Sequence, residues 1–236
     1  MTQPKGPHEL PFVLEVPATG TVIRQEDFDI YRPDGGDHSL PAVVFVPGPM
    51  PAEFPARPRD WPVYAGYGRL MAGRGVIAVV PDLHYYAVGQ WPQASDDLSA
   101  VIESVRALAA VDSDRIAVWA FSAGGLLVGR WLARSPDWLR CLALTYPMLA
   151  MPADPAAQAA AVQPGRPLVL TRVGRESASI QVTVDGFLSA AAASGTVVDV
   201  VEVPDGRHGF DLLDHTEASA RAVVQATDLV IDHLLR

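Results

Sequence analysis

The sequence predicts an α/β domain built on a mostly parallel sheet with helices on both faces. Short, continuous apolar runs recur along the chain, as strands buried on both faces require. Segments with apolar residues at helical spacing fall between those runs, and this alternation is the pattern of strand-helix-strand units. The 236 residues, 49% hydrophobic and 19% charged, suit one enzyme-sized core. The expected organisation is an irregular tail over 1–10 and a single domain over 11–236.

Phe12 to Val16 and Thr21 to Tyr31 read as an early antiparallel pair, separated by a turn at Pro17-Ala18-Thr19-Gly20. Pro33-Asp34-Gly35-Gly36-Asp37 marks a loop before the third strand, Ala42 to Val46. Val76 to Val80, Ile116 to Phe121, Cys141 to Tyr146, Leu168 to Thr171 and Val197 to Val203 repeat the apolar theme. Leu98, Val101, Ile102, Val105 and Leu108 form a helical stripe that Ser95 or Asp96 would cap. Gly124 to Arg134, Ile180 to Ala193 (closed by Gly195) and Glu217 to Leu235 predict three more helices. The Ala-rich piece Pro152 to Ala161 reads as a short surface helix or loop.

Bulk properties exclude several classes of partner. A formal net charge of −9 argues against nucleic acid and anionic membranes. Cys141 is the single cysteine, so no internal disulfide forms. The N-terminal residues lack the apolar core of a signal peptide, and no apolar run is long enough to span a bilayer. A soluble, cytoplasmic protein is expected. No metal-ligand spacing, phosphate-binding glycine loop or cofactor fingerprint is evident, so no cofactor is expected.

The chemistry concentrates on Ala120-Phe121-Ser122-Ala123-Gly124-Gly125, where a strand runs into a serine among small residues and a helical segment follows. This is the layout of a nucleophile elbow. A serine capping a helix after a strand is the ordinary alternative. His208, in Pro204-Asp205-Gly206-Arg207-His208-Gly209-Phe210, follows the last strand and is the candidate base. Its ordinary alternative is an exposed loop histidine. Glu176, after the Leu168 to Thr171 strand, is the candidate acid, with Asp154 as its main rival. Asp185 on a helix and Asp205 beside His208 rank lower. Unless it orients the base, Glu176 is a solvated carboxylate paired with Arg175.

On Val46-Pro47-Gly48-Pro49, the Ser122 elbow, Gly174-Arg175-Glu176 and Gly206 to Asp211, the chain resembles the α/β-hydrolase superfamily. The likeness is to small dienelactone-hydrolase-like serine esterases and runs from about Thr21 onward. The resemblance implies an α/β-hydrolase fold without a large cap domain and a Ser122, His208, Glu176 triad. It also implies an oxyanion hole made by the Ala123 amide and an amide after the third strand. Three departures stand out. Pro47-Gly48 replaces the usual His-Gly, and Pro49 has no N–H to donate, which leaves Met50 or Gly48 as the second donor. Serine replaces the cysteine nucleophile of dienelactone hydrolases proper, and Glu replaces the commoner Asp.

The pocket residues expected are His84, Tyr85 and Trp61, under a roof formed by the Pro49 to Pro62 connection, with Tyr64, Tyr67, Tyr86 and Trp91 near the mouth. Each aromatic alone reads more readily as core packing than as a binding contact. Arg57 and Arg59 read as a solvated pair or as contacts to a substrate carboxylate. The expected partner is a small-molecule ester. A peptidase or amidase, an acyltransferase and a non-catalytic ligand-binding relative are the alternatives.

Overall fold

The computed structural model describes residues 5–35, 38–151 and 165–236. Eight strands form one sheet: β1 (Thr21–Arg24), β2 (Phe28–Arg32), β3 (Leu40–Val46), β4 (Ile77–Pro81), β5 (Val111–Phe121), β6 (Leu139–Thr145), β7 (Leu168–Arg175) and β8 (Val198–Arg207). Their spatial order is β1-β2-β4-β3-β5-β6-β7-β8. β1 and β2 pair antiparallel, β2 runs antiparallel to β4, and all pairings from β4 through β8 are parallel. The chain leaves β3 for β4 on one side and returns across it to β5 on the other. The carboxyl ends of β3 and β5 therefore flank a topological switch point, where such sheets bind ligands.

Side-chain parity divides the core into two layers. Val44, Val118 and Leu142 face one way, against Leu98 and Ile102 of α2 (Trp91–Arg106), Trp131 of α3 (Gly129–Ala133) and Phe187 of α4 (Ala178–Ser194). Phe45, Trp119 and Ala143 face the other way, against Tyr67 and Met71 of α1 (Pro62–Ala72) and Val223 and Val230 of α6 (Glu217–Leu235). A short helix, α5 (Phe210–Leu213), precedes α6. Period-two alternation on β3 and β5 thus supplies both layers from the same strands.

Several expectations change. Phe12 to Val16 is not a strand: Val13 N–H bonds to the Asp211 carbonyl, and Phe12 packs on the Tyr67 ring, 4.7 Å between centroids. Thr21 to Tyr31 is itself a hairpin, broken at Gln25 to Asp27, which restores the strand count. Helix α1 was not signalled by the sequence, because Gly66 and Gly68 depress helix propensity. Both are small for contact: a methyl group on Gly66 would run into the Phe12 ring, and one on Gly68 into Tyr31. Helix α2 begins at Trp91, ahead of the expected caps, which make tertiary bonds instead. Ser95 Oγ donates to the Leu127 carbonyl at 2.8 Å, and Asp96 pairs with Arg130 at 2.6 Å. The expected Gly124 to Arg134 helix starts as a tight 3-10 turn over Ser122–Val128. Gly195, at φ 73°, closes α4 as expected. The Pro152 to Ala161 segment lies outside the described residues. Among the described residues, no helix is long and apolar enough to cross a membrane.

Candidate active site

Ser122 immediately follows β5 and has φ 53°, a left-handed conformation that costs a non-glycine residue about 1–3 kcal/mol. The neighbouring glycines explain why only small residues fit this turn. A methyl group on Gly124 would collide with the Val46 carbonyl, and one on Gly125 would stand 2.6 Å from the Met148 carbonyl. The Ser122 carbonyl accepts from Met148 N–H at 2.9 Å, and the Ala123 carbonyl accepts from the buried Tyr85 hydroxyl at 3.2 Å. The elbow is therefore clamped on both sides.

His208 follows β8 directly. Its loop is pinned by Arg207, which donates its amide and Nε to Asp214 at 2.8 and 2.7 Å. Gly209 then takes φ 77°, a turn that glycine makes without steric cost. His208 Nε2 lies 2.8 Å from Ser122 Oγ, and Nδ1 lies 2.6 Å from Glu176 Oε2. A carboxylate at Nδ1 requires a proton there, so the neutral ring turns its Nε2 lone pair toward the serine hydroxyl.

Glu176 follows β7, beyond a register shift between Val173 and Arg175. Gly174 at that shift lets β7 approach the Pro204 carbonyl of β8, where a methyl group would collide. The two loops converge as a result. The Glu176 side chain is 6% exposed, and Ser177 N–H donates to its second oxygen at 2.7 Å. Burial pushes the Glu176 carboxyl up, but the His208 and Ser177 hydrogen bonds outweigh it and hold the group below its usual range.

The rival carboxylates are engaged elsewhere. Asp205 pairs with Arg175 at 3.1 Å, and Asp185 on α4 pairs with Arg172 at 3.4 Å. Asp154 lies outside the described residues. Ser122, His208 and Glu176 are thus brought into one hydrogen-bonded row, each at the carboxyl end of a different strand.

The oxyanion side differs from expectation. Met50 N–H donates to the Tyr85 carbonyl at 2.9 Å, which removes it as a donor toward Ser122. Gly48 sits closer: a methyl group there would stand 3.6 Å from Ala123 N and 3.7 Å from Ser122 Oγ. Of the three expected pocket residues, none opens onto the serine as a free wall. His84 is 72% exposed and faces Asp97 at 3.7 Å, in a separate hollow of about 190 Å³ beside Asp27 and Ser104. Trp61 packs into the aromatic core with Phe54 and Tyr64. Tyr85 buttresses the elbow and borders a crevice of about 10 Å³ with Gly48 and Arg57.

Arg57 and Arg59 are neither solvated nor free for a ligand. Arg57 donates to Asp82 at 2.8 Å and lies over the Tyr86 ring, while Arg59 lies 3.7 Å from Asp29 and 3.5 Å from Asp82. A larger cavity of about 590 Å³ lies between α2 and α3 and contains none of the triad residues. Sequence reasoning also missed Tyr146, whose ring lies 4.7 Å from that of His208, and the buried Asp211 behind it. Both stood in plain apolar or motif contexts, and only the convergence of the segments that follow β6 and β8 brings them together.

The fold that carries this arrangement is the α/β-hydrolase fold. Residues 69–158 match the Prolyl oligopeptidase family. No curated protein matches the chain by sequence. Among solved structures, the fold is similar to dipeptidyl peptidase 4 of Porphyromonas gingivalis, at TM-score 0.65 and 16% identity, over 92% of this chain and 35% of that one. It is similar to esterase B of Lactobacillus rhamnosis, at TM-score 0.68 and 15% identity, over 92% of this chain and 89% of that one. A Klebsiella pneumoniae protein described as a dienelactone hydrolase matches at TM-score 0.66 and 17% identity, over 89% of this chain and 92% of that one. The chain thus spans 35% of the peptidase's length but most of the length of the two smaller proteins.

Proposed function

We propose that this protein is a serine hydrolase that cleaves carboxylic esters through Ser122, His208 and Glu176. The observation that carries the reading is the unbroken row from Ser122 Oγ through both His208 nitrogens to Glu176, ending at a serine held at positive φ. In this reading Ser122 Oγ attacks the ester carbonyl carbon as its proton passes to His208 Nε2. The carbonyl π electrons move to oxygen, and the resulting oxyanion accepts hydrogen bonds from the Ala123 and Gly48 amides. Collapse expels the alcohol, which takes the proton from Nε2 and leaves an acyl-Ser122. Water, deprotonated by His208, repeats the sequence and releases the acid. Glu176 stays ionised throughout and stabilises the imidazolium. The protein is read as cytoplasmic and as needing no cofactor.

A second reading, a peptidase on the same site, is favoured by the match of residues 69–158 to the Prolyl oligopeptidase family. The fold similarity to esterase B and to the Klebsiella protein supports the ester reading. The test is intact mass after fluorophosphonate treatment, with Ser122→Ala as control, followed by matched ester and amide panels. A stoichiometric adduct absent from the variant, with esters turned over faster than amides, is the expected result. No adduct on folded protein would remove the hydrolase reading, and faster amide turnover would replace it with the second.

A further inference from the structure

Among the described residues, only two non-glycine residues adopt positive φ: Ser122 at 53° and Tyr146 at 37°. Both touch His208. Ser122 meets Nε2, and the Tyr146 ring lies against the imidazole at 4.7 Å, tilted 51°. Backbone strain persists where surrounding structure enforces it, and it gathers at functional sites. The strain at Tyr146 therefore calls for an account of its own.

Tyr146 is held from behind. Its hydroxyl donates to both oxygens of Asp211, at 2.8 and 3.0 Å, and its amide donates to the Thr171 carbonyl at 2.9 Å. Tyr67 of α1 donates to the same carboxylate at 3.0 Å. Asp211 is fully buried, yet these two side-chain partners are neutral phenols rather than cations. A buried carboxylate is ordinarily kept for packing only when a cation neutralises it. Here the cation that could answer it is the imidazolium formed transiently at His208, one aromatic ring away.

We propose that Asp211, acting through Tyr146, is a positioning group that holds the His208 ring and stabilises its protonated form during proton transfer. This rests on the hydrolase reading above. A phenol that donates to a carboxylate has an electron-richer ring, and an imidazolium against that ring face gains cation–π attraction. Glu176 supports the cation through Nδ1, and Tyr146 with Asp211 supports it from the tilted ring 4.7 Å away. Burial pushes the Asp211 carboxyl up to about 6, while hydrogen bonds from Tyr146 and Tyr67 and the field of His208 oppose the rise. The two phenol O–H donors aimed at its oxygens favour the ionised form. The titratable groups facing this cluster are Tyr64 and Tyr67 from α1, Tyr146 after β6, Glu176 after β7 and His208 after β8.

The test compares wild type, Asp211→Asn and Tyr146→Phe by the pH dependence of Ser122 labelling with a fluorophosphonate, alongside thermal melting. Asp211→Asn keeps the shape and removes the charge, while Tyr146→Phe keeps the ring and removes the link. In Asp211→Asn, labelling at neutral pH falls about tenfold. Its acidic limb moves to lower pH by about one pH unit, because the protonated ring loses a nearby negative charge. Tyr146→Phe shifts the limb the same way by less. On an ester substrate the loss falls in kcat rather than KM.

A folded Asp211→Asn protein with a lowered melting temperature but an unmoved limb would overturn the proposal and leave a purely structural cross-link. If Asp211→Asn does not fold, Tyr146→Phe decides by the same criterion. If wild type takes no label at any pH, the hydrolase reading fails separately. The NMR titration of the His208 ring then decides: a midpoint at lower pH in Asp211→Asn supports the proposal, and coincident curves overturn it.

Discussion

The two sides of Ser122 are built on different principles. Toward β6, β7 and β8 stand His208, Glu176, Tyr146 and Asp211, joined by short side-chain hydrogen bonds that lead from Ser122 through His208 to Glu176 and link Tyr146 to Asp211. Toward β3 and β4 stands Gly48-Pro49-Met50, where one N–H is spent on Tyr85, one residue has no N–H, and a glycine remains. That side is fixed at a distance, by Arg57 and Arg59 clasping Asp82. Proton transfer needs directed groups at hydrogen-bond length, whereas oxyanion binding needs only backbone held still with room left open. The difference teaches where substitutions should act: on rate at the first side, and on access or stability at the second.

The largest effects test the wired side. Ser122→Ala removes the group that everything else serves, so turnover falls about a millionfold or to background while melting is little changed. Esterase assay and circular dichroism on the same preparation check both halves. Glu176→Gln keeps the shape but lets the imidazole adopt the wrong tautomer, for a loss of about 10³–10⁴-fold in kcat. Its pH behaviour follows from the lowered carboxyl. The folded value lies below the ordinary 4.5, so the stabilisation by Glu176 is complete above that value and is lost as pH falls through the folded one. Denaturant titrations of wild type and Glu176→Gln should therefore converge on acidification. A gap that widens in acid would mean that the folded Glu176 carboxyl titrates above its ordinary value rather than below it.

The contrast between the sides also explains what was legible in the sequence. Ser122, Glu176 and His208 each follow an apolar strand run, and the geometry of a parallel sheet brings such positions to one edge, so local pattern and the family resemblance nominated them, with Asp154 left as the rival to Glu176. Most strands and the helices Ala178–Ser194 and Glu217–Leu235 were visible for the same reason, since their periodicity is local. Helix α1 was hidden because its glycines answer to Phe12 and Tyr31, residues far away in sequence. The commitment of Met50 to Tyr85, the turning away of His84 toward Asp97, and the Arg57 and Arg59 clasp were hidden likewise. Each depends on a partner from another loop, and single-sequence patterns carry no record of such pairings.

Gly48→Ala probes the sparse side directly. The added methyl would meet Ser122 Cβ at 3.5 Å, an ordinary van der Waals contact, so the fold should tolerate it. It would nevertheless stand 3.7 Å from Ser122 Oγ and 3.6 Å from Ala123 N, in the space that the proposed mechanism gives to the substrate carbonyl. Turnover should drop about 10- to 100-fold, as expected when reacting atoms are displaced by about an ångström. Unchanged activity would mean that the oxyanion is held from another direction and that Gly48 is only a turn residue. Steady-state kinetics on the best ester of the panel would separate the two.

The smallest effect belongs to the clasp. Arg57 donates to Asp82 at 2.8 Å and to the Leu83 carbonyl at 3.2 Å, with side-chain exposures of 24% and 19% for the ion pair. Partial exposure puts the pair between surface bridges and buried ones, so Arg57→Ala should cost about 1–2 kcal/mol of stability. Arg59 still reaches Asp82, and Met50 still bonds to Tyr85, so the backbone at Gly48 keeps two anchors. Melting temperature should therefore fall while kcat and KM stay close to wild type. If kcat instead falls as far as in Glu176→Gln, the clasp is setting the oxyanion geometry itself. The two sides of Ser122 would then be equally demanding, one held by side-chain hydrogen bonds and the other by a remote ion pair.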